Sequence, residues 1–199
     1  MRKQLTLLLS VVLIASCSKS DDDKPANTGG NGRPGTVKVI SNTAVNVDAD
    51  AGNKGTFTLY NLAENKVVPN SDSATAKWDI GFKATTIIIN GGVSGPGKVS
   101  AQVVSGIYND MGTAPEAGYK VDEAAAKAIT GWYSYNMDTH IISPVAGKFF
   151  VLKTADGKYA KLEIFSYYKD APNPPVATSA SRYYHFRYVL QPDGSAYFK

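Results

Sequence analysis

From Val37 onward the apolar residues come in short alternating runs separated by turn residues, and this period of two constrains the fold more than any other feature. Thr56 to Tyr60 and Trp78 to Phe82 alternate, Thr85 to Ile89 is a β-branched run, and Val99 to Tyr108 is a further strand candidate. Phe149 to Lys153 and Tyr159 to Tyr167 flank Ala155-Asp156-Gly157-Lys158, whose Asp-Gly pair accepts the φ > 0 geometry of a tight hairpin. A second hairpin is expected where Tyr183 to Leu190 and Ser195 to Phe198 flank Gln191-Pro192-Asp193-Gly194. Asp122 to Ile129 is the one helical segment expected, with Asp122 as its N-cap and three consecutive Ala, Ala124 to Ala126, inside. Twelve Tyr, 18 Gly and 10 Pro agree with strands and turns. The expected fold is mainly β: a β-rich domain of two packed sheets with one short helix, over residues 37–199.

The first 36 residues follow different rules. Met1-Arg2-Lys3 is a positive start, and Leu5 to Ile14 is an apolar run too short to span a bilayer. It ends in Leu13-Ile14-Ala15-Ser16-Cys17, which resembles a bacterial lipobox, with small residues before a Cys that is lipidated after cleavage. Residues 1–16 are therefore read as a lipoprotein signal peptide and Cys17 as the lipidation site, giving stable membrane anchoring through two or three acyl chains. Residues 17–36 read as a tether, since Asp21-Asp22-Asp23 stays solvated and Pro25 to Thr36 has little to bury. The Lys/Asp-rich patch after Cys17 resembles the surface-export signal of Bacteroidetes lipoproteins and implies display on the outer face of the outer membrane.

Composition closes off several function classes. Removing Arg2 and Lys3 from a formal +4 leaves +2, too little for nucleic acid without a Lys/Arg cluster. A single Cys excludes an internal disulfide and a Cys-based zinc site. Gly92-Val-Ser-Gly-Pro-Gly97-Lys98 has the spacing of a P-loop, but Val99 stands where Ser or Thr would hold Mg²⁺, and strand formers follow. It reads as a Gly-rich turn between strands. Neither HExxH nor a GxSxG elbow occurs, so no enzymatic function is expected. His185 reads as a half-exposed strand residue, and His140 lies in a turn-like stretch with Met137. Met111 and Met137 both sit among polar residues rather than in apolar runs, and a thioether can ligate haem iron.

Several segments, in order, resemble the HmuY family of Bacteroidetes haem-binding lipoproteins. These are Lys77-Trp78-Asp79-Ile80-Gly81-Phe82, Asn90 to Lys98, Gly131-Trp132, Phe149 to Lys161, and Phe186-Arg187-Tyr188 followed by Gln191-Pro192-Asp193-Gly194. The resemblance covers Val37 to Lys199 and implies a β-rich fold that captures haem b non-covalently between loops at one end. It further implies two axial side chains on the iron and a TonB-dependent outer-membrane receptor that takes the haem up. One ligand position, a few residues after the Gly-Trp pair, falls on Met137 with His140 beside it. The other lies in a loop before that pair, where residues 122–130 hold neither His nor Met; Met111 is the substitute if its loop folds over. The alternative is a non-catalytic surface module for a glycan or peptide, with Trp132, Tyr133 and Tyr135 as exposed stacking surfaces.

Overall fold

The computed structural model describes residues 38–199. The expected signal peptide over 1–16, the expected lipidation site Cys17 and the expected tether over 17–36 lie outside the described residues. Eleven strands follow: β1 (Ile40–Asp48), β2 (Thr58–Asn61), β3 (Lys66–Val68), β4 (Ile80–Lys83), β5 (Thr86–Ile89), β6 (Ser100–Ser105), β7 (Tyr133–Tyr135), β8 (Ile142–Pro144), β9 (Lys148–Lys153), β10 (Tyr159–Tyr168) and β11 (Ser181–Gln191). A five-stranded sheet runs β1-β11-β10-β9-β6, a four-stranded sheet runs β3-β2-β4-β5, and β7 pairs only with β8. All the strand pairs are antiparallel, so the mainly β expectation holds.

Alternation along each strand builds the layers. Leu152, Leu162, Tyr184, Phe186 and Tyr188 of the large sheet face Tyr60, Ile80, Phe82, Ile87 and Ile89 of the small one, forming one buried core. The Phe82 ring lies 4.6 Å from Tyr184 and 5.4 Å from Phe186, and Tyr60 meets Phe186 edge-on at 5.3 Å. The opposite face of the large sheet carries Phe149 and Val151 under Tyr108, Ala114 and Phe198. The opposite face of the small sheet carries Leu59 and Ile88 against Trp78.

The Asp156-Gly157 hairpin forms as expected, joining β9 to β10 with Gly157 at φ 80°. The second hairpin does not. After the turn at 192–194 the chain leaves β11 and pairs with residues 112–114, Ala114 N donating to Ala196 O and Phe198 N to Gly112 O. This detour buries Phe198 beside Phe149, which return along β11 would not do.

The expected helix over 122–129 is also absent; the one helical turn among the described residues is Asn70–Asp72. Asp122 is 1% exposed instead, taking the Ile89 amide on Oδ2 at 3.0 Å and the Ala128 amide on Oδ1 at 2.8 Å. Eight residues, even with four Ala, cannot hold a helix without packing, and the carboxylate finds donors from β5 and from its own loop. The Gly-rich segment forms the expected turn. It wraps Asn90, fully buried, whose amide donates to Thr75 O and Trp78 O and whose Oδ1 accepts from Gly97. A Cβ on Gly91 would stand 2.0 Å from Val99 O, so only glycine lets the strand pass there.

Candidate functional site

The β7–β8 hairpin is inserted between β6 and β9 and rests on the end of β10. Its base is fixed by Gly131, at φ 65°, and Trp132. Trp132 Nε1 donates to Thr85 O at 3.0 Å, and its ring packs on Tyr133, Tyr167 and Tyr184 at 4.9, 5.8 and 5.2 Å. Trp132 is thus a core residue, 3% exposed, and not the exposed stacking surface expected of it. Tyr133 is half-buried, leaving Tyr135 as the exposed ring of the three. Tyr168 OH accepts the Ile142 amide at 2.8 Å, tying β8 to β10.

At the tip, Asn136 Oδ1 accepts the amides of Asp138 and Thr139, and Asn136 N donates to Ile141 O. This Asx turn throws Met137 outward, 74% exposed. His140 takes a left-handed backbone at φ 56°, which brings its ring back over Tyr135, with Nδ1 2.5 Å from the Tyr135 hydroxyl. The tautomer that donates Nδ1–H to that oxygen leaves the Nε2 lone pair open for a metal.

Opposite the hairpin lies the β10–β11 connection. Asp170 and Asn46 exchange two hydrogen bonds, at 2.7 and 2.8 Å, and hold its start against the bulge of β1. Between the two loops is a cavity of about 600 Å³, walled by His140, Ile141, Pro174, Pro175 and Val176. A second cavity of about 450 Å³ shares Ser143 and Pro175 with it and is lined by Phe165, Tyr167 and Tyr168. Both sizes suit a small-molecule ligand.

The structure therefore puts Met137 and His140 on one turn and places Met111 elsewhere. Met111 packs among Tyr108, Phe149 and Phe198 on the outer face of the large sheet, its carbonyl accepting from Lys161 Nζ at 2.8 Å. Lys161 is near the start of β10 and Tyr168 at its end, roughly 20 Å apart at about 3.3 Å per residue. His185 is 3% exposed rather than half-exposed, because β11 is flanked by strands on both sides and Phe165 lies 5.9 Å from its ring. Burial lowers its pKa, and its Nε2 has no partner. Sequence reading missed the loop over 170–180, which carries neither His nor Met and shows itself only by its prolines.

No protein-family model matches the sequence, and no curated protein matches it. Solved structures do. The apo HmuY analogue of Tannerella forsythia superposes with a TM-score of 0.54 at 16% identity, over 79% of this chain and 98% of that one. This chain has an HmuY-like fold. A Bacteroides vulgatus protein named as HmuY-like and heme binding gives a TM-score of 0.50 at 15% identity, over 74% of this chain and 90% of that one. At such identities the HmuY-like fold is what is shared, and the turn with Met137 and His140 is a feature of this chain's own geometry.

Proposed function

We propose that this protein is a cell-surface lipoprotein that binds haem between the β7–β8 turn and the 170–180 loop and passes it to an outer-membrane uptake system. The observation that carries the reading is the placement of a thioether and an imidazole on one exposed turn, with the imidazole in the wall of a cavity of about 600 Å³. The residues fit haem held from one side: His140 lines the cavity with Pro174, Pro175 and Val176 as an apolar wall, and Met137 stands on the same turn outside that lining as the second donor. Haem brings an iron centre whose axial positions accept imidazole nitrogen or thioether sulfur. Tyr135 orients His140, and Asn136 sets the turn that presents Met137. A soft sulfur donor favours the reduced metal, so affinity is expected to rise on reduction. Cys17 carries the lipid anchor in this reading, and a TonB-dependent receptor is the acceptor of the haem.

The test is a haemin titration of the purified protein, oxidised and then reduced, alongside Met137→Ala and His140→Ala. A saturable Soret shift weakened by either substitution supports the reading. A flat titration in both redox states would sink it and turn attention to a glycan or peptide ligand, for which Tyr135 is the remaining exposed ring of the turn.

A further inference from the structure

A third cavity lies at the other end of β10, roughly 30 Å along the strand from the site above, counting about 3.3 Å per residue from Tyr168 to Tyr159. Its volume is about 380 Å³, and it opens between the small sheet and the β9–β10 turn. Asp79 lines it. This carboxyl is only 9% exposed; Oδ2 accepts the Leu62 amide at 2.8 Å, and no donor among the described residues reaches Oδ1. The facing wall is the turn bearing Thr154, Asp156 and Lys158. There Asp156 is already satisfied, taking Thr154 Oγ1 on one oxygen at 2.5 Å and Lys158 Nζ on the other at 2.6 Å.

Asp79 Oδ1 is not among the buried atoms left without a partner, so it opens into the cavity, where a charged donor gains more from a carboxylate than water does. Burial pushes the Asp79 carboxyl up to about 6; Asp156 adds to the rise, and the Leu62 amide and Lys158 oppose it. At neutral pH the cavity therefore holds one uncompensated negative charge, since Asp156 and Lys158 cancel. A hard divalent cation needs six or more oxygens, and one free carboxylate oxygen falls far short. The remaining lining, which includes Ala63, Ala76 and Leu190, is methyl-rich and suits a short alkyl body.

We infer that this cavity binds a small organic cation, a primary alkylamine whose ammonium meets Asp79 Oδ1 and whose chain lies along the alanines. The site is independent of haem capture. Ionisation of Asp79 sets its pH dependence, with Asp156 and Lys158 the charged groups that face it. Affinity is expected to be about tenfold weaker at pH 5, where Asp79 is mostly protonated, than at pH 7.5.

The experiment is a titration of the purified ¹⁵N-labelled protein with propylammonium chloride, with 1-propanol as the neutral control. Saturable shifts of the Leu62 and Lys158 amides at pH 7.5, at least tenfold weaker in Asp79→Asn and in Ala76→Leu, are the expected result. The carboxamide that Asp79→Asn introduces retains an acceptor for the Leu62 amide. Ala76 is exposed at the cavity wall, so Ala76→Leu decides the matter if Asp79→Asn does not fold. Absence of shifts, equal shifts with 1-propanol, or binding that survives Ala76→Leu would overturn the inference.

Discussion

The Tyr135 hydroxyl lies 2.5 Å from Nδ1 of His140, closing a six-residue turn in which Met137 is 74% exposed. The hydroxyl fixes the imidazole without occupying Nε2. Partners of this kind around a metal-ligating histidine contribute about ten- to a hundredfold to affinity. Tyr135→Phe is expected to weaken haem binding about tenfold by Soret titration while leaving the unfolding midpoint unchanged, because the pair is exposed. An unchanged affinity would remove His140 from the iron.

The Asp122 side chain ties Ile89 of β5 to Ala128 of its own loop, beside the backbone bond from Val93 N to Asp122 O. Asp122→Ala leaves the buried amides of Ile89 and Ala128 without acceptors, at about 1–3 kcal/mol each. The urea midpoint should fall accordingly. Asp122→Asn keeps one oxygen and should lose about half as much. Equal losses for Ala and Asn would mean that the carboxylate charge, rather than the two bonds, holds the loop.

Two glycines separate steric from conformational cost. Gly91→Ala drives a methyl into the Val99 carbonyl, 2.0 Å away, and should cost about 3 kcal/mol or more by equilibrium denaturation. Gly157→Ala meets nothing within 4 Å but holds φ 80°, so only the left-handed penalty of about 1–2 kcal/mol applies. A milder effect at Gly91 than at Gly157 would contradict the close approach of strand and turn.

Asp79 gives stability a pH dependence of known sign. Its folded pKa of about 6 exceeds the ordinary carboxylate value of 3.8, so between these the folded state binds more protons than the unfolded. Its contribution is therefore full at pH below 3.8, declines as pH rises through that window, and is constant above it. Two pKa units correspond to about 3 kcal/mol. In Asp79→Asn the decline should vanish when denaturant midpoints are compared at pH 4 and pH 7. A decline as steep as in the unsubstituted protein would assign it to another group.

Strands with a clear period of two, such as those around Trp78, Phe149 and Tyr183, are legible in the sequence because alternate residues face different layers. The strands Lys66–Val68, Tyr133–Tyr135 and Ile142–Pro144 are three residues each, too short to carry a period. The helix expected at 122–129 failed because local propensity lost to one tertiary hydrogen bond from Ile89 and one within the loop from Ala128. Met137 and His140 are three residues apart, so their meeting in one turn needs only local geometry. Met111 could be placed only by knowing the sheet order, which sets its loop over Lys161 and away from the hairpin. The Asp79 cavity has no signal in the sequence at all, since its walls come from segments paired across the two sheets.

The pairing of β1 with β11, in which Ile40 meets Leu190, sets an order of events. The first described strand has its partner in the last, so the large sheet cannot close while the chain is still emerging from a ribosome. Until Ser181 to Gln191 is free, β1 waits with open backbone groups and β10 lacks one neighbour. Contacts of such sequence separation fold slowly. A chaperone that shields β1 during that interval would act on yield, and a stall near the C-terminus would leave β1 unpaired beside a sheet of β10, β9 and β6 alone.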